Sequence, residues 1–212
     1  MIFQKKPKEE KQISTNNPME DSEYCYYQTF GKALVGFAKA LELRERKLSA
    51  VTTQDILDFV KVDKKEFEFL FTDPHGLLEA VRKEIQQIFS EAEDMLDGTD
   101  ATVKLNSIFM RLQKNCPMLE VLRLAADYNV WRDSMKGFVA QLSSTWPPAD
   151  TAAWEYLYAN FCCQFALILE KWSETDYAKQ NIADCVRLAE IWLEADGMLG
   201  DTAEDVVGQW EG

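Results

Sequence analysis

Apolar residues along this chain recur at steps of three and four, the period of helices packed by one face. Phe30, Leu34, Phe37 and Leu41 step by four, three and four, predicting a helix from about residue 23 to 47 with a single apolar stripe. Ile56, Phe59 and Val60 form one short helical set and Phe67, Leu70 and Phe71 a second, so two short helices joined by a tight turn are expected. Thr52 precedes Asp55 by three residues and Asp63 precedes Glu66 by three. Both have the spacing of N-caps, whose side-chain oxygens accept from the free N–H groups of a first turn. Asp73-Pro74 then opens a third helix, with Asp as cap and Pro at the first position, where its missing N–H costs nothing. Leu77, Val81, Ile85, Ile88, Phe89, Ala92, Met95 and Leu96 carry that helix to about residue 96, a length of roughly 35 Å at the α-helical rise.

Beyond a turn at 97–100, helical segments are expected at 101–115, at 117–128 after Pro117, and at 130–143. TWPPAD at 145–150 interrupts the pattern, and Asp150 is expected to cap a segment running to Trp172. That segment is apolar on nearly every face. A helix of this kind needs burial on two sides, by its own domain and by something else, while Glu155, Asn160 and Gln164 argue against a membrane span. A last helix is expected over 176–196, stopping at Gly197. The polar stretch 1–24 reads as a mobile arm whose lysines could reach a DNA groove, and the acidic tail from Met198 to Gly212 has no assigned state. The fold class expected is all-α, divided into an arm (1–24), a three-helix head (25–73) and a bundle of about six helices (74–212).

The stretch from Thr52 to Leu78 resembles the DNA-binding module of the tetracycline-repressor (TetR) family of bacterial regulators. Thr52, Ile56, Val62, Phe67, Phe71, Leu77 and Leu78 match the family pattern, mostly at packing positions. Several exposed positions depart from it: Lys61 and Lys65 stand for glycines, Asp63 for serine, Glu66 for threonine, Glu68 for tyrosine, Leu70 for histidine and Pro74 for lysine. The resemblance implies a homodimer in which the last two long helices pair across a two-fold axis. It also implies an operator-reading helix at Lys64–Phe71, and a body that releases or tightens DNA when a small ligand binds. Thr52, Thr53, Lys64, Lys65, Phe67 and Glu68 are the DNA-contacting positions so implied. If the turn needs a left-handed backbone at Lys61, its side chain costs on the order of 1 kcal/mol relative to Gly.

Charge modifies this picture. Residues 1–30 hold 4 basic and 5 acidic side chains, residues 31–84 hold 10 of each, and residues 85–212 hold 9 and 21, for a net charge of −13. A neutral head on an acidic body is a poor long-range field for nucleic acid, so any binding must come from local presentation of Lys64 and Lys65. Glu68 adds a carboxylate where phosphates would lie, predicting weaker binding with a shallower salt dependence.

Other chemistry is scarce. The 5 cysteines, Cys25, Cys116, Cys162, Cys163 and Cys185, include no C-x-x-C pair, so a reducing cytoplasm is expected rather than a disulfide framework or a metal site. His75, the single histidine, falls in a helix first turn without triad partners, and no P-loop, G-x-G-x-x-G, H-E-x-x-H or nucleophile elbow occurs. No enzyme and no cofactor are expected, and neither an export signal nor a membrane span is read from the apolar runs. Phe109, Trp131, Met135, Trp154, Tyr158 and Phe161 are the candidates for lining an effector pocket, with Met110 beside them and Asn160 and Gln164 as polar anchors. Two functions of different class follow: a ligand-controlled, homodimeric DNA-binding regulator, or a descendant of that fold that has lost operator binding and serves as a ligand-sensing or protein-interaction dimer.

Overall fold

The structure is a computed structural model that describes the backbone of residues 18–95, 100–142 and 151–195, and the side chains of 25–94, 100–140 and 151–194. Among these residues the regular structure is entirely helical. The order is α1 (Pro18–Leu43), α2 (Thr53–Leu57), α3 (Lys64–Phe71), α4 (Pro74–Met95), α5 (Ala101–Lys114), α6 (Cys116–Leu124), α7 (Asn129–Ser134), α8 (Lys136–Leu142), α9 (Ala152–Ser173) and α10 (Ile182–Ala195). Short 3-10 turns at Leu48–Ala50 and Lys179–Asn181 precede α2 and α10.

α1 lies against α2 and α3 on one side and α6 on the other, so the short helices and the body share it. α4 touches α3 as well as α5, α6, α7 and α8, and α10 packs on α5 and α9. One apolar core runs from Phe30 to Leu193. In the head, Phe30 meets Phe71 at 5.8 Å between ring centroids and Phe67 meets Phe71 at 5.3 Å. In the body Phe165 is the hub, with Phe89, Phe109, Trp131 and Phe161 all within 6.1 Å.

Helix ends account for most departures from the expected boundaries. α1 begins at Pro18, inside the stretch assigned to the arm, and stops at Leu43 instead of near residue 47. There Arg46 N–H donates to the Leu41 carbonyl at 2.7 Å and Glu45 N–H to Glu42 at 3.2 Å, with Glu45 at φ 53. That is the Schellman closure, normally built on glycine. The same pair of bonds ends α6 at Leu124 instead of 128, with Ala126 at φ 53, and closes α9 with Asp176 at φ 50. The segment expected at 130–143 is divided at Met135 into α7 and α8, beside Gly137, a poor helix former. The last helix starts at Ile182 instead of 176, because the closure of α9 and a 3-10 turn take up the intervening residues. Thr151 caps α9, its hydroxyl accepting from Trp154 N–H at 3.2 Å, one residue after the cap expected at Asp150. The expectations for residues 1–17, for most of the two interhelical turns (96–99 and 143–150) and for the acidic tail lie outside the described residues.

The all-round apolar helix is resolved into two faces. Trp154, Tyr158, Phe161, Phe165, Leu169 and Trp172 of α9 point into the core. Tyr156, Cys163 and Leu167 face outward, with Tyr156 75% and Leu167 58% exposed.

Candidate functional site

The unit formed by α2 and α3 is built from its caps upward. Thr52 is extended and accepts from Asp55 N–H at 3.2 Å, while the Asp55 carboxylate takes the Thr52 backbone N–H and hydroxyl, both at 2.8 Å. This is a complete capping box. Arg44 locks it to the end of α1: Nη2 lies 2.6 Å from Asp55 Oδ1 and Nε 3.2 Å from Oδ2. The guanidinium, followed by the Thr52 N–H, holds the Asp55 carboxyl down to about 2 against its ordinary 3.8. Close backbone approach is possible because α1 has Gly36 here; a Cβ at that position would sit 2.5 Å from the Ile56 carbonyl oxygen.

The connection at 58–63 needs no left-handed residue: Lys61 is not among the positions with positive φ, so its side chain carries no backbone cost there. α3 is capped by Asp63, whose Oδ1 accepts from Lys65 N–H at 2.9 Å and Glu66 N–H at 3.2 Å. Its end is sharp. Thr72 at φ 66, ψ −58 with an Asp73 N–H to Phe71 carbonyl bond of 2.7 Å makes a γ-turn. Asp73 then caps α4 through Gly76 N–H at 2.8 Å, and a Cβ on Gly76 would lie 1.8 Å from the Phe71 carbonyl oxygen.

This geometry sorts the positions implied for DNA contact. Lys64, Lys65 and Glu68 are exposed on the outer side of α3, Thr52 is exposed at the start of α2, and Thr53 is half-buried. Phe67 is different: it is fully buried against Phe71 and presents nothing to a partner. The carboxylates are engaged by the protein itself. Glu66 accepts from the Thr29 hydroxyl on α1, and Glu68 lies 3.6 Å from Lys64 Nζ. The residue that sequence reading passed over is Phe69, 86% exposed on the outer face of α3. Its position two residues from both Phe67 and Phe71, opposite the buried stripe, was the available signal.

In the body, the six proposed effector-lining residues, Phe109, Trp131, Met135, Trp154, Tyr158 and Phe161, are all buried. They belong to the packed core: Trp154 stacks on Tyr158 at 4.7 Å, and the Tyr158 hydroxyl donates to the Arg132 carbonyl. A groove of about 520 Å³ lies instead between the start of α7 and the outer face of α9, lined by Tyr128, Asn129, Arg132, Cys162, Cys163 and Leu167 among others. None of the six lines it. Trp131 borders a crevice of about 20 Å³ beside it. Gln164 has a buried Oε1 without a hydrogen-bond partner.

Burial pushes the thiols of Cys162 and Cys185 up to about 11 and raises that of Cys116. Among the described residues no three His, Cys, Asp or Glu side chains gather as metal ligands, and no helix is long and apolar enough to cross a membrane. No family model, no curated protein and no solved structure matches this chain.

Proposed function

We propose that the chain is a DNA-binding transcriptional regulator of TetR-like layout, working as a homodimer in the cytoplasm and controlled by a small apolar or aromatic ligand. The observation that carries this reading is the construction of α3. It is an eight-residue helix, capped at Asp63, with Phe67 and Phe71 fixed in the core while Lys64 and Lys65 face solvent. A helix held this way, beside a second capped helix and joined through a sharp turn to the long α4, is a rigid element that can enter a major groove. Support for the homodimer comes from the exposed Tyr156 of α9 and the exposed Leu188 and Ile191 of α10, large apolar side chains left outward on two helices that pack on one another. The groove between α7 and α9, about 520 Å³, has room for such a ligand and supports the effector part of the reading.

One contact favours a second reading. The Lys64–Glu68 pair removes a cation from the outward face, as suits a head that has exchanged operator binding for a protein contact. Anisotropy titration against labelled duplexes from the gene's own upstream DNA, at several salt concentrations, separates the two. Each phosphate neutralised steepens the log–log salt slope by about 0.9. A slope of several with sequence preference supports the regulator; micromolar binding indifferent to sequence supports the alternative.

A further inference from the structure

We propose that Phe69 is the base-reading side chain of α3 and that it contacts the C5-methyl group of a thymine in the major groove. The inference rests on the DNA-binding reading above and names what that surface recognises. Phe69 is 86% exposed, while Phe67 and Phe71 on the same helix are buried. Its exposure therefore belongs to the outward face and is not a fraying end. The carboxylates of the helix and its cap are spoken for. Asp63 caps the helix, Glu66 is bonded by Thr29, and Glu68 is paired with Lys64. Lys65, exposed and one turn before Phe69, shares its face.

A phenyl ring offers no hydrogen bond to a base edge. In the major groove adenine, guanine and cytosine present donors and acceptors, and the thymine methyl is the apolar feature. A benzyl side chain on the outward side of a groove-entering helix therefore discriminates by apolar contact with that methyl. Lys65 falls where an ammonium can meet a flanking phosphate, a contact that positions the helix without reading sequence.

The test uses the full-length protein. Duplexes bound by the wild type are selected from a random pool, and each thymine of the selected site is then replaced in turn by deoxyuridine, which deletes only the methyl. One position per half-site is expected to weaken wild-type binding about four-fold, the size of one buried methyl group. Phe69→Ala is expected to lower affinity for the thymine duplex and to bind thymine and deoxyuridine duplexes alike. Lys65→Ala is expected to weaken both equally and to flatten the salt slope. Phe69 is exposed, so circular dichroism of Phe69→Ala should match the wild type. Salt-sensitive wild-type binding with no deoxyuridine effect at any position overturns the thymine contact and leaves the DNA-binding reading standing. Failure of the wild type to select any duplex ends both. If Phe69→Ala instead changes the sedimentation of the free protein while deoxyuridine has no effect, the ring serves a protein contact and the proposal is wrong.

Discussion

Replacing Asp55 by alanine tests how the short helices are held. The carboxylate takes bonds from Arg44 Nη2 at 2.6 Å and Nε at 3.2 Å, and from the Thr52 N–H and hydroxyl at 2.8 Å each. Its pKa is lowered from 3.8 to about 2, first by Arg44 and then by the Thr52 N–H, with burial opposing. At about 1.4 kcal/mol per pKa step the difference corresponds to about 2.5 kcal/mol. Arg44 is 43% exposed, so solvent screening reduces this to about 1–2 kcal/mol. The capping-box bond from the Thr52 N–H is already contained in that shift. Asp55→Ala should therefore lower the unfolding free energy at pH 7 by about 1–2 kcal/mol, measured by urea denaturation, and should speed amide exchange across 53–60. Because the folded-state pKa is depressed, the contribution is complete above the unfolded value of 3.8 and disappears as pH falls towards about 2. The gap between wild type and variant should be the same at pH 7 and pH 5 and shrink to roughly half by pH 3. A gap below about 0.5 kcal/mol at pH 7, or one as large at pH 3 as at pH 5, would refute the assignment of Asp55 as the anchor.

The other expectations follow from close approaches, caps and burial. Gly76→Ala places a methyl against the Phe71 carbonyl oxygen and should cost about 3 kcal/mol or more in thermal denaturation, since backbone must move. Ala126→Gly relieves a left-handed residue at φ 53 and should raise the unfolding free energy by about 0.5–1 kcal/mol, a rare stabilising change to glycine. Phe165→Ala empties the aromatic hub between Phe89, Phe109, Trp131 and Phe161 and should cost about 3–5 kcal/mol in urea denaturation. With a maleimide at pH 7.5, exposed Cys25 and Cys163 should label within minutes, while Cys162 and Cys185, buried and shifted up to about 11, should label only on unfolding; mass spectrometry of the digest reads this directly.

What was legible in the chain, and what was not, divides by the kind of signal. Side-chain caps announce themselves, because Thr52 with Asp55, Asp63 with Glu66 and Asp73 with Pro74 need particular residue types at fixed spacing, and all of them form. Helix ends closed by the backbone do not. The closures at Glu45, Ala126 and Asp176 use ordinary residues in a left-handed conformation that glycine would have advertised, so the ends of α1 and α6 and the start of α10 lie several residues from where the pattern puts them. Periodicity likewise separated the inward residues of α3 from the outward ones, and Phe69 follows from that arithmetic as surely as Phe67 does. The apolar set Phe67, Leu70 and Phe71 leaves Phe69 out, and a residue outside the packing stripe gets no role from periodicity alone. Phe109, Trp131, Met135, Trp154, Tyr158 and Phe161 were expected to line an effector pocket because a body rich in aromatics can hold an apolar ligand; all six are buried in the packed core, and none lines the groove between α7 and α9. A groove forms instead where small and polar residues, Asn129, Ala159, Cys163 and Ala166, leave room between α7 and α9. Cavities are made by what a helix lacks on one face. Their position depends on how neighbouring helices cross, and one chain's hydrophobic pattern does not contain that crossing.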